Sequence, residues 1–307
     1  MKQVLISVQL ILFALFSNYV MASPVNVNVV WSFPASISAL NYTRAIIQQA
    51  NQDQNKYFFT LEIKPGAGGS IAARHTLQTA RNKKLTILAT TDAFFVSPYL
   101  YKNPGYTFED FSMLYQVAQV PLALVAKKER KFDDIMKKSN VTLSYIGPGS
   151  FTHAMAEQIK KVNSDKIILV GYMGSREAVK DVIGGNLDLA FDTVSSVIVD
   201  DKVEILGTTG DKNISGLKKL SELNKNYANF TRLNMGIFYL YPNQMSSEVA
   251  NEIKSIMVRA QTNNTDFANA LKFDYGSVGD VSDHQQKLYK KRIHEMHNLT
   301  SGIEKLD

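Results

Sequence analysis

The amino-acid sequence predicts an α/β protein of two domains, each a mixed or parallel sheet flanked by helices, joined by two crossing strands. Three observations predict it. Strand-like and helix-like runs alternate along most of the chain, which builds sheets covered on both faces. Two long apolar runs, "FSMLYQVAQVPLALVAKK" and "RLNMGIFYLYP", interrupt that alternation. Of the 307 residues about 285 follow an N-terminal leader, more than one core comfortably holds.

In chain order, residues 1–22 read as a secretory signal peptide. Lys2 is the positive n-region, "VLISVQLILFALF" the apolar h-region, and Val20, Met21 and Ala22 the cleavage site before Ser23. The apolar stretch from Val4 to Phe16 is short for a membrane span. The alternating "VNVNVVWSF" is a strand, and "SALNYTRAIIQQANQ" carries Leu40, Ile46, Ile47 and Ala50 at helical spacing. "YFFTLEIKP" is a strand, "SIAARHTLQTA" a helix and "KLTILAT" a strand. Beyond the first long run come "VTLSYIG", "FTHAMAEQIKKV", "KIILVGY", "SREAVKDVIGG", "LDLAFDT" and "VEILGTT". After "YLYP" only helices are expected, "SSEVANEIKSIMVRAQ" and "SDHQQKLYKKRIHEMHNL". The long runs are read as hinge crossings. The chain leaves a first domain (residues 23–121 with 235–307), builds a second (122–234) and returns, with a ligand cleft between them. Crevices in such sheets lie beyond the carboxyl ends of the strands.

The chain has no cysteine, which excludes a disulfide scaffold and an N-terminal lipid anchor on Cys. An exported chain of this size without disulfides fits a bacterial periplasm. Net charge is +6, spread in short groups such as "KKER" and "KKR", with no basic stripe interleaved with aromatics. Nucleic acid is therefore not an expected partner. The five histidines offer no ligand spacing apart from His294-Glu295-His297, which reads as a solvated helix face, so neither metal nor cofactor is expected.

The order of motifs carries a resemblance. "VVWSFPAS", "KPGAGGSIAA", "LATTDAFFVSPYLY", "TFEDFSMLYQVAQVPLALV", "GPGSFTHAMAE", "VGYMGSREAVKDVIGGNLDLAFDT" and "VEILGTT" run colinearly from about Val25 to Tyr241. Together they resemble the solute-binding proteins of the tripartite tricarboxylate transporter family, also called the Bug family. The resemblance implies a periplasmic-binding-protein-like fold that closes on a small carboxylate and passes it to membrane transporter subunits. Ser36 and Ile37 replace glycines usual in the first loop, Leu40 stands where an acid is usual, and Met235 lies near the place of a usual Trp.

Candidate ligand-binding residues follow from strand ends and helix starts. The first strand ends at Phe33, Pro34 and Ala35, and Ser36 or Ser38 can cap the next helix, whose N–H groups suit a carboxylate. "PGAGG" (residues 65–69) lacks the Gly-Lys-Ser/Thr of a phosphate loop and reads as a tight turn. Thr90 and Thr91 end the strand "KLTILAT" and either offer hydroxyls to a carboxylate or cap ahead of Asp92. In "GPGSFTH", Gly149, Ser150 and Thr152 open a helix as an anion cradle. His153 either reaches the ligand or packs behind. Ser150 has no Gly-x-Ser-x-Gly elbow, and His153 shares its helical face, so a catalytic pair is not expected. Asp192 at the end of "LAFDT" either accepts from a ligand hydroxyl, amine or water, or caps "TVSSVIVD".

The expected protein is a monomeric periplasmic solute-binding protein, not an enzyme, that captures a small organic anion, a carboxylate, for a transporter. The alternatives are ligand presentation to a sensor or receptor, and a secreted hydrolase using Ser150 and His153.

Overall fold

The computed structural model describes residues 23–35, 39–163, 166–214 and 216–306; the expected signal peptide, Ser36 and Ser38 lie outside them. The chain opens with β1 (Val25–Trp31), α1 (Leu40–Asp53), β2 (Tyr57–Ile63), α2 (Ser70–Arg81), β3 (Leu85–Thr91) and α3 (Ala93–Leu100). It crosses through β4 (Phe111–Val120) and β5 (Leu122–Lys127) into β6 (Val141–Ile146), α4 (Phe151–Val162), β7 (Ile167–Tyr172), α5 (Ser175–Gly184), β8 (Ala190–Thr193) and β9 (Val203–Thr208). It returns through β10 (Met235–Pro242), α6 (Ser247–Thr262), α7 (Thr265–Phe273), β11 (Ser277–Val278) and α8 (Gln285–Thr300).

One sheet has the order β11-β4-β10-β3-β1-β2. Its β1, β2 and β3 are parallel, while β10 runs antiparallel to both β3 and β4. Val30 and Leu88 face one apolar cluster, and Val29, Trp31 and Ile87 face another. Burial on both faces explains why these strands read as nearly continuous apolar runs. In the second lobe β8-β5-β9 form an antiparallel sheet and β6-β7 a parallel pair, joined by a bridge between Leu143 and Leu189. Helix α4 covers one face through Ala154, Met155 and Ile159; α5 covers the other through Ala178, Val179 and Val182.

The first long run is two strands in two sheets, parted at Pro121. Proline has no N–H for a ladder, so the switch of sheets falls there without breaking a hydrogen bond. On the return, Met235 pairs with Val120, so the two crossings lie side by side.

Three elements differ from the sequence expectation. Helix α3 buries Ala93, Phe94, Phe95, Val96 and Leu100, apolar on all sides, and therefore shows no amphipathic period. Helix α7 stands between the two expected C-terminal helices, and the two-residue strand β11, which pairs with β4, interrupts the expected all-helical C-terminal part. A strand of two residues is too short to have a readable period. Helix α8 packs Tyr289 against Phe95, with ring centroids 5.5 Å apart, and its Leu299 carbonyl accepts from Gln158 of α4 at 2.6 Å. Among the described residues no helix is long and apolar enough to cross a membrane.

Candidate functional site

Where the sheets meet, a cavity of about 180 Å³ opens beyond the carboxyl ends of β1, β3, β6, β7 and β8. Phe33 follows β1, Thr91 ends β3, and Ser150 and Thr152 sit at the start of α4. Asp192 and Thr193 end β8, the first turn of α5 forms another wall, and Leu122 and Met235 contribute from the crossings. Strands β6 and β7 are neighbours with Ile146 opposite Tyr172, so the helices that follow them, α4 and α5, begin side by side at one rim.

The turn into α4 is built by two glycines. Gly147 (φ 72°) and Gly149 (φ 74°) both take the left-handed conformation that favours glycine. Ser150 is the N-cap: its Oγ accepts from the His153 N–H at 3.1 Å. Thr152 Oγ1 accepts from the Ile146 N–H at 3.0 Å, and the two hydroxyls lie 3.0 Å apart. One hydroxyl hydrogen joins the pair, so the other is left over and can be donated into the cavity, whichever residue holds it. The N–H groups of Phe151 and Thr152, in the first turn, have no acceptor among the described residues. Free donors at the positive end of a helix make a receptor for an anion.

Helix α5 starts after Gly174 with no side-chain cap. Asp192 is buried, and its Oδ1 accepts from the Thr193 N–H at 2.7 Å. Burial raises its carboxyl above the ordinary value, against the pull of the Thr193 N–H, the Ser175 hydroxyl and the Arg176 charge, while Asp274 pushes it further up. The cap of the helical turn Val194–Val197 is Thr193. Asp192 is therefore not that cap, and it faces the cavity.

Of the residues expected from sequence, Phe33, Thr91, Ser150, Thr152 and Asp192 come together on this cavity. Others do not. Thr90 points the opposite way from Thr91, as alternate strand residues must, and its hydroxyl turns to the Thr91 carbonyl at 3.4 Å. Ala35 is exposed and outside the cavity wall. Gly149 faces Tyr101 of the other lobe; a Cβ there would lie 2.3 Å from the ring, so its constraint is packing and backbone rather than ligand approach.

His153 also lies behind the wall. Its Nδ1 accepts from the Gly149 N–H at 3.2 Å, its Nε2 lies 3.7 Å from Glu157, and its ring rests on Tyr145 with centroids 4.3 Å apart. Both ring nitrogens thus face away from the Ser150 hydroxyl, and the geometry of a nucleophile and base is not formed. The glycines of "PGAGG" adopt positive φ, and Gly68 packs against Ser97 and the Gly149 carbonyl, which fits the tight-turn reading.

Sequence reasoning missed Leu122, Ile146, Phe151, Ser175, Arg176, Glu177, Phe191 and Met235 as parts of the wall. The helix start at Ser175 after a strand was a readable signal, of the same kind as Ser150. It also missed the ion pair behind the site. Arg292 of α8 donates from Nε to Asp92 Oδ1 at 2.5 Å and from Nη2 to Oδ2 at 2.7 Å, and the Gly236 N–H donates to Oδ2 at 2.6 Å. Among the described residues no group of three or more His, Asp and Glu side chains converges as a metal site. Glu295 instead pairs with Arg292, and His297 lies against Tyr99.

Residues 46–304 match the family model described as the tripartite tricarboxylate transporter family receptor. A UPF0065 protein from the TAR-I ttuE-ttuC' intergenic region of Agrobacterium vitis is 31% identical over 146 residues, 44% of this chain and 42% of that one. The chain thus spans less than half the length of that curated relative in the match. Over nearly the whole chain the fold is similar to that of the periplasmic binding protein BugD, with a TM-score of 0.77 at 20% identity, covering 92% of this chain and 99% of that one. It is likewise similar to a Rhodopseudomonas palustris protein solved with adipate, with a TM-score of 0.78 at 19% identity, covering 92% and 98%.

Proposed function

The chain belongs to the tripartite tricarboxylate transporter family receptors, and from that premise we propose that it captures a small organic carboxylate in the periplasm for membrane transporter subunits. The family consists of solute-binding proteins and not enzymes. The observation that carries the proposal is the start of α4. There the N–H groups of Phe151 and Thr152, without an acceptor among the described residues, and the spare hydroxyl hydrogen of Ser150 and Thr152 converge on one cavity. Thr91 adds a hydroxyl from the first sheet. A carboxylate seated there exchanges water for charge-assisted hydrogen bonds without any covalent step.

Two lobes joined at Pro121 and Met235 support a hinge, with closure burying the anion between them. The adipate held by the similar R. palustris protein supports an acid of that size. The test is calorimetric titration with four- to six-carbon carboxylates of the wild type and of the Ser150→Ala/Thr152→Val double variant. The double variant removes the spare hydroxyl donor and keeps the backbone N–H groups. Affinity should fall about tenfold to a hundredfold. Equal affinity for a confirmed ligand in both proteins would remove the cradle from the binding site.

A further inference from the structure

Arg176 is the cation whose charge acts on Asp192 in the cavity wall. It lies in the first turn of α5, is exposed, and has no hydrogen-bond or ion-pair partner among the described residues. The cavity wall holds one cation among those residues, Arg176, against two acids, Glu177 and Asp192. A second, outer groove of about 440 Å³ shares Arg176, Asp192 and Ser196 with the cavity and continues past Asn41, Lys180, Phe273 and Asp274. Arg176 therefore borders both spaces, within reach of the far end of a ligand that extends from α4 toward the outer groove.

Resting on the proposed carboxylate reading, we propose that Arg176 selects the charge of the ligand's far end by pairing with a second carboxylate. The start of α4 serves one carboxylate with neutral donors. A second one brought near Asp192 and Glu177 meets two acids, and only a cation between them makes that approach favourable. The planar guanidinium can hold a carboxylate through two parallel hydrogen bonds, and none of its donors is committed elsewhere among the described residues. An ammonium at the far end would be repelled by Arg176, and a methyl would leave the guanidinium without a partner.

The test compares acids of equal length that end in carboxylate, methyl or ammonium. These are succinate, butyrate and 4-aminobutyrate, and adipate, hexanoate and 6-aminohexanoate. Each is titrated calorimetrically into wild type, Arg176→Gln and Arg176→Lys. In at least one length the wild type should prefer the diacid over the monoacid, and Arg176→Gln should reduce that ratio about tenfold or more. Arg176→Lys should retain part of it, because the charge survives and the fork does not. A ratio unchanged in Arg176→Gln, or a wild type that favours the methyl or ammonium end, overturns the assignment and leaves carboxylate binding standing. A wild type that binds none of the six overturns the carboxylate reading, and the role of Arg176 falls with it.

Discussion

Ser195, at the start of the helical turn after β8, donates its hydroxyl to the buried carboxylate of Asp274 at the end of α7, across the gap between the lobes. Asp274 also accepts from the Tyr42 hydroxyl of α1, within its own lobe. One carboxylate thus ties the first lobe to itself and to the second. Ser195→Ala removes the bond between lobes, which at a charged acceptor contributes about 1.5–3 kcal/mol, together with the 3.2 Å contact between its hydroxyl and Thr193 Oγ1. We expect the unliganded variant to open, visible as a larger radius of gyration in X-ray scattering. Tyr42→Phe should lower thermal stability and leave the scattering unchanged. Opening in both variants, or in neither, would rule out a latch.

The Asp92–Arg292 pair makes a second prediction. Burial opposes the Arg292 charge, but the charge of Asp92 and hydrogen bonds to it, with help from Glu295, outweigh this and raise the guanidinium further above its ordinary range. Burial pushes the Asp92 carboxyl up, against Arg292 and the Gly236 N–H. Arg292→Met leaves Asp92 buried without its cation and should cost about 3–5 kcal/mol in urea unfolding. Adding Asp92→Asn, which keeps an acceptor for Gly236, should recover much of that. Failure to recover would mean that Arg292 stabilises chiefly by packing.

Asp192 predicts a pH dependence. Its folded carboxyl is raised above 3.8 by burial, so ionising it costs more in the fold than in the unfolded chain. Below the ordinary value both states are protonated and there is no penalty. The penalty grows as pH rises from there to the raised folded value, and is constant above. Asp192→Asn should therefore melt higher than wild type at pH 7, with the difference shrinking toward pH 4. A difference that is constant across this window would contradict the assignment.

Ser150→Ala alone separates capping from binding. The N-cap bond to the His153 N–H is lost, which should cost about 0.5–2 kcal/mol of stability. Thr152 keeps its own hydroxyl hydrogen and, with no Ser150 oxygen to meet, can donate it to the ligand. We expect a lowered melting temperature and an affinity changed far less than in the double variant. A full loss of affinity in the single variant would show that Ser150 itself is the donor.

Much of the fold was legible because its causes are local. Strand and helix periods located β1, β2, β3, α1 and α2, and the mixed α/β sheets followed from their alternation. Strand ends and helix starts likewise marked Thr91, Ser150, Thr152 and Asp192, since a helix start after a strand is written in adjacent residues. What faces the cavity was decided elsewhere. Alternation along β3 guarantees that Thr90 and Thr91 part company, but only the neighbouring strands choose which one meets the cavity. His153 turned inward because Tyr145 and the Gly149 N–H hold its ring. The bonds from Asp92 to Arg292 and from Ser195 to Asp274 join residues 200 and 79 positions apart. No local period records such pairs, because a buried charge is tolerated only where the rest of the chain delivers its partner.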